Sequence, residues 1–348
     1  MWWESRGLRS GDVARVNRRI TIATRPVGLP KVSDFQLVYS PLPSPAAGEV
    51  LVRSVYLSLE PNQRRRMNEG GVQDRPVAIG EVMTGAAVAF VLESEDPALQ
   101  AGDAVEGTLG WQEFAVAKGR DLKRIDHLLA PISTALGVLG LPGLTALFGL
   151  GICDPQPGET VVVSWATGGV GMLAGQIAKI KGCRVVGVAG HDVEISWLLD
   201  ELGFDAAIND EIAEDFHGGL AALCPDGIDV YFDNVGGVTT DEVMRLINVN
   251  GRIAVCGQIS QESLERPELG PRWLGQLIVK QAKLQGFRAS AYAERFPEGL
   301  AQLARWLKQG RLQYREDIAH GIESAPQAFI AMLKGKNKGE QLVQLAGF

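Results

Sequence analysis

Residues 161–182, VVVSWATGGVGMLAGQIAKIKG, constrain the fold more than any other stretch of this chain. Three consecutive valines read as a buried strand, and the apolar spacing after the glycines reads as a helix. Between them Ala166, Thr167, Gly168, Gly169, Val170 and Gly171 form the pattern A-x-G-x-x-G. Gly168 lets a backbone approach a pyrophosphate, and Gly171 lets the helix pack closely on the strand. The free N–H groups and positive dipole end of such a helix suit phosphate. A strand before and a helix after are the context in which this pattern holds a dinucleotide rather than making a plain turn.

The strand–helix alternation continues from about residue 136. TVVVSW, CRVVGVA, AAIN, GIDVYFDNVGG and GRIAVCGQIS read as strands, with helices expected at 169–181, 193–203, 213–224 and 239–247. Continuous apolar strands between amphipathic helices mean a parallel sheet covered on both faces, a doubly wound α/β domain. Upstream the period differs. Short strands rich in Val and Gly, over 48–59, 85–94 and 99–116, suggest a small β-barrel or sandwich, with one short helix at PNQRRRM, 61–67. From YREDIAHGIESAPQAF onward short elements return, and this segment is expected to rejoin the first domain. The division is therefore an extension at 1–16, a first domain over 17–135 and 312–348, and a cofactor domain over 136–311.

The 348 residues suffice for two domains with large cores. A net charge of −7, with no basic stripe, gives no support to nucleic-acid binding. The four cysteines are scattered and form no CxxC pair, which points to a reducing cytoplasm and away from a zinc cluster. No apolar run approaches the ~20 residues of a membrane span. The opening MWWESRGLRSGDVARVNRR lacks the apolar core of a signal peptide.

GLPGLTALFGL, the glycine-turn block, GFDAAIN, GIDVYFDNVGG, CGQISQ and GKNKG occur in order. Together they resemble the zinc-independent medium-chain dehydrogenase/reductase superfamily, and within it the leukotriene B4 dehydrogenase, prostaglandin reductase and plant double-bond reductase branch. The similarity covers about 17–345, nearly the whole chain. It implies a GroES-like barrel domain, a Rossmann domain, a homodimer, no metal, and NADPH as reductant of the C=C bond of α,β-unsaturated aldehydes or ketones. It also implies roles. Asn234 would lie by the cofactor's ribose and phosphates, after a strand it could otherwise merely terminate. Cys256, Gly257, Ile259 and Ser260 would line the nicotinamide half, with Phe287 near it and Asn337 at the nicotinamide ribose. A quinone reductase or alcohol/ketone dehydrogenase on the same scaffold, or a cofactor-binding protein with little catalysis, remain alternatives.

Departures from the family pattern bear on both ligands. Around Gly190, where relatives place a Lys for the 2′-phosphate, an ungapped alignment puts Glu194; a Tyr expected after the third strand falls at Asp210 or Glu211. One unit charge pair at ~4 Å is worth ~4 kcal/mol at an effective dielectric near 20. Those acids either repel the 2′-phosphate and favour NADH, with Asp192 accepting from a free ribose 2′-OH, or face solvent. On the substrate side three family tyrosines are missing, at Asn62, Leu147 and Glu262. Asn62 could donate to a substrate carbonyl through its amide. Glu262 either faces solvent or, if neutral, donates or relays a proton. The substrate is a small molecule whose identity the residues do not name.

Overall fold

The computed structural model describes residues 16–69, 75–127, 130–190, 192–210, 215–266 and 268–347, with residues 192–194 described in backbone only. Of the expected extension, 1–15 lies outside the described residues and Val16 opens the first strand. In chain order come β1 (Val16–Ile22), β2 (Phe35–Pro41), β3 (Glu49–Ser58), α1 (Asn62–Arg66), β4 (Ala86–Ser94), β5 (Ala104–Thr108), β6 (Phe114–Lys118) and β7 (Lys123–Arg124). Then follow α2 (Leu141–Cys153), β8 (Thr160–Val163), α3 (Gly171–Ile180), β9 (Arg184–Ala189), α4 (Asp192–Asp200), β10 (Ala206–Asn209), α5 (Phe216–Leu223), β11 (Ile228–Asp233) and α6 (Gly237–Leu246). The chain closes with β12 (Ile247–Val255), α7 (Ile259–Glu262), α8 (Leu274–Val279), β13 (Lys283–Gly286), α9 (Phe296–Lys308), β14 (Glu316–His320), α10 (Ala325–Leu333) and β15 (Glu340–Gln344).

Strands β8 to β13 form, among the described residues, one six-stranded parallel sheet in the order β10-β9-β8-β11-β12-β13. The chain winds outward from β8 to β10, then returns to place β11 beside β8. That reversal opens a crevice beyond the carboxyl ends of β8 and β11, where open α/β sheets bind ligands. Both faces are covered. Val161, Val163 and Phe232 pack under α2 and α3, while Val162 and Tyr231 pack under α5 and α6 with Leu220 and Val243. Continuous Val runs follow from this two-sided burial.

The second sheet runs β14-β15-β3-β4-β5-β7, with β6 on β3, and β1 and β2 form a separate ribbon. Its core centres on Trp111, fully buried, stacked on Phe35 at 5.5 Å and edge-on to Phe329. Trp111 and Phe114 are thus core residues. The C-terminal β14 and β15 join this sheet through β15–β3 pairing, with Leu342 opposite Ser58.

A hydrogen bond links the two sheets. The Gly339 N–H donates to the Thr167 carbonyl at 2.8 Å, in a bridge that pairs Gly168 with Gly339. Gly339 has φ +83°, and a Cβ there would overlap the Arg315 carbonyl oxygen. Both facts demand glycine. Gly339→Ala is expected to lower unfolding stability by roughly 1–3 kcal/mol, read from the denaturant midpoint at unchanged slope.

Candidate active site

A cavity of about 450 Å³ opens at the crevice between the sheets. Its floor is the turn between β8 and α3. Gly168, Gly169, Val170 and Gly171 face it, and Gly171 cannot carry a Cβ without striking the Trp165 carbonyl. Ala166 and Thr167 are fully buried behind the turn and hold it from below. The α3 N-terminus therefore points its free N–H groups at the opening.

The loop after β11 forms the second wall. Asn234 is pinned there: its backbone N–H donates to Ser164 Oγ at 2.9 Å and its amide to the Ser164 carbonyl at 2.7 Å. Its place beside the glycine turn is thus fixed by β8. Cys256, Gly257 and Ile259 line the same wall, with Phe287 packed edge-on to Phe232. Burial, with Asp233 nearby, pushes the Cys256 thiol up to about 12, so it is a neutral wall and not a nucleophile. Asn337 enters from the barrel side. It is 3 % exposed; its amide donates to the Gly339 carbonyl, and its Oδ1 has no partner. An unmet buried acceptor is costly unless a ligand meets it, and a ribose hydroxyl is a suitable donor.

Other sequence candidates lie off the cavity. Ser260 donates to the Val235 carbonyl at 2.7 Å and braces the loop. Gly190 follows β9 and does not line the opening. Asp210 accepts from the Thr239 hydroxyl at 3.1 Å. Glu211 and the side chains of Asp192 and Glu194 lie outside the described residues.

The substrate end is acidic. Glu262, on α7, has a side chain only 9 % exposed, and it meets Arg65 Nε of α1 at 3.4 Å across the crevice. Its Oε2 has no hydrogen-bond partner. Burial raises the carboxyl to about 7 against the opposing pull of Arg65 and Arg64, so it carries a proton for part of the neutral range. Asn62 donates to Glu60 Oε2 at 2.9 Å. Its amide is engaged with a carboxyl rather than presented freely. Glu340 was not legible as a site residue in the sequence, yet it sits against Gly169, 6 % exposed. Ser58 Oγ lies 3.1 Å from Glu340 Oε1 and 3.5 Å from Glu60 Oε1. Burial first, then Glu60, holds the Glu340 carboxyl well above the carboxylate range. Trp165 was missed as well. It lines the cavity at φ +46°, a conformation rare for a side chain so large, with its ring over Gly168 and its Nε1 unpartnered.

Two family models match the chain, one described as the N-terminal domain of oxidoreductase over residues 18–125 and one as zinc-binding dehydrogenase over 169–305. The NADPH-dependent curcumin reductase of Escherichia coli is 44 % identical over 97 % of this chain and 99 % of its own. The chain belongs to the zinc-independent medium-chain dehydrogenase/reductase superfamily. An NADP(+)-dependent 2-alkenal reductase of Nicotiana tabacum is 41 % identical, covering 95 % of this chain and 98 % of its own. The crystal structure of CurA from Vibrio vulnificus in complex with NADPH superimposes with a TM-score of 0.90 at 43 % identity, covering 95 % of this chain and all of that one. In this medium-chain dehydrogenase/reductase no cluster of three His, Cys, Asp or Glu side chains able to hold a metal occurs among the described residues.

Protonation of Glu340 has a measurable sign. Its folded-state carboxyl binds a proton that the unfolded one releases, so stability falls as pH rises above the ordinary carboxylate range. Glu340→Gln is expected to unfold at the same temperature as wild type near pH 4 and at a higher one at pH 8, by differential scanning calorimetry.

Proposed function

We propose that this protein is an NADPH-dependent reductase of the C=C bond of α,β-unsaturated aldehydes or ketones. One observation carries the reading: a single cavity brings together the glycine turn, the unmet Asn337 acceptor and a buried, proton-holding Glu262. The named activities of the relatives support it. When bound, NADPH supplies the hydride that adds to the substrate β-carbon. Gly168, Gly169 and Gly171, with the α3 N-terminus, hold the pyrophosphate. Asn234 and Asn337 fix the sugars, and Phe287 and Cys256 exclude water beside the nicotinamide. Glu262 holds the proton that the α-carbon takes up, and Arg65 stabilises the carboxylate left behind. Asn62 acts by orienting Glu60. Residues 17–135 with 312–348 form the substrate domain, which lends Asn337 to the cofactor, and 136–311 form the cofactor domain, which lends Glu262 to the substrate.

The assembly we propose is a homodimer built through β13. This edge strand is exposed at all four residues and flanks the exposed Leu274, Ile278 and Val279 of α8. Such an edge is a template for pairing with a second copy. Among the described residues no helix is long and apolar enough to cross a membrane. The four cysteines are unpaired, which supports a reducing compartment such as the cytoplasm.

Purified protein should oxidise NADPH in the presence of an enone, followed at the nicotinamide absorbance. Catalysis by protonated Glu262 should fade on the alkaline side with an apparent pKa near 7. Glu262→Gln should lower kcat on the order of 100-fold and remove that limb. Retention of the limb in the variant would assign the proton elsewhere. Light scattering should give twice the chain mass, and Ile278→Asp should halve it.

A further inference from the structure

Glu340 is the acid that touches the glycine turn itself. Its Oε2 lies against Gly169, where a Cβ would collide with it, and both residues line the main cavity. The backbone fixes it there: the Glu340 N–H donates to the Arg315 carbonyl at 2.9 Å, and the bridge of Gly168 with Gly339 sets the residue before it. The two carboxyl oxygens have different neighbours. Ser58 Oγ, fully buried, lies 3.1 Å from Glu340 Oε1 and 3.5 Å from Glu60 Oε1. The shorter contact makes Oε1 the oxygen that accepts the Ser58 proton. Oε2 is left as the oxygen beside the turn where phosphates are held.

The charges around Glu340 work against its ionised form. Burial comes first, then Glu60, and Glu316 of β14 adds to them, while the Ser58 hydroxyl opposes. The nearby cations are engaged elsewhere. The Arg315 guanidinium lies over the Trp197 ring at 5.5 Å, and Arg66 acts on Glu60. Gly137, the other backbone close to the side chain, brings no charge. In the open crevice water can solvate an ionised Glu340. A pyrophosphate seated on Gly168 and Gly169 expels that water and adds negative charge at contact range, and both changes favour the neutral acid. A neutral carboxyl also offers an O–H to a phosphate oxygen, where a carboxylate offers acceptors alone. We propose that Glu340 is a cofactor-binding acid: it holds a proton in the NADPH complex, presents it to the pyrophosphate beside Gly169, and makes NADPH binding proton-linked. The inference rests on the NADPH-dependent reading and deepens it with a pH control on cofactor capture, separate from the proton that Glu262 gives to the substrate.

Calorimetric titration of the full chain with NADPH tests this without turnover, between about pH 6.5 and pH 9.5. Glu340→Gln keeps the volume and a donor but cannot ionise. The Kd of wild type divided by that of the variant is read at each pH, so ionisation of the 2′-phosphate, common to both, cancels. The ratio should lie near one at the acid end. It should then climb by up to about tenfold per pH unit once Glu340 ionises in the free protein, and exceed about tenfold at the alkaline end. A second readout needs no variant. Titrations of wild type at about pH 8.5 in Tris and in bicine, which differ in ionisation heat, should show net proton uptake on binding. A ratio near one throughout, or no proton uptake by wild type, overturns the assignment and leaves NADPH binding standing. A ratio that is already about tenfold at the acid end and does not move with pH reports altered packing and overturns it too. Absence of NADPH binding at every pH overturns the reductase reading itself, and the inference with it.

Discussion

The hydrogen bond from the Gly339 N–H to the Thr167 carbonyl is the contact on which the rest of the site depends. It ties the start of β15, which belongs to the barrel-side sheet through β3, to the glycine turn of the parallel sheet. Everything near it is placed by register. Glu340 follows Gly339 and meets Gly169; Asn337 precedes it by two residues and reaches the cavity. Leu59 donates its N–H to the Gln341 carbonyl at 3.0 Å, which sets Ser58 and Glu60 opposite Glu340. One residue of slip in β15 would turn each of these side chains to the other face.

That register assembles carboxyls where little positive charge is close. Ser58 has one hydroxyl proton and two carboxyl neighbours, so it can donate to Glu60 or to Glu340 but not to both at once. A buried pair of this kind is satisfied most readily when one member is a neutral acid that donates in its turn. The neutral form also removes a conflict. An ionised Glu340 against Gly169 would oppose the phosphates that the α3 N-terminus attracts, and a protonated one does not. Burial thus makes an acidic wall compatible with an anionic cofactor.

The doubly wound domain was legible because its signals are local. A Val run, a glycine pattern and a helical period each sit within a few residues, and β8 and α3 formed where the sequence placed them. The helix expected at 239–247 starts at Gly237 instead, whose positive φ continues the glycine turn after β11. The site was legible in part. Asn234, Phe287 and Asn337 follow recognisable blocks. Glu340 does not, because its role arises from pairing across more than 280 residues. Trp165 carries a signal of another kind: a large residue in a left-handed turn position that glycine would fill without strain.

The missing tyrosines take on a consistent meaning in this frame. A phenol at the positions of Asn62 and Glu262 would present a donor whose proton is held through the neutral range. Glu262 achieves the same state differently, through a low-dielectric setting that lifts a carboxyl to about 7. The exchange alters the chemistry in one respect. A carboxyl at that value can give up its proton and recover it at neutral pH, whereas a phenol near 10 seldom ionises there. Arg65, half exposed at the crevice mouth, sits where a departing proton would leave negative charge. On the proposed reading, replacing a fixed hydrogen-bond donor by a rechargeable acid is a coherent solution to the same step, and it would make the rate depend on pH in a range where a tyrosine would be silent.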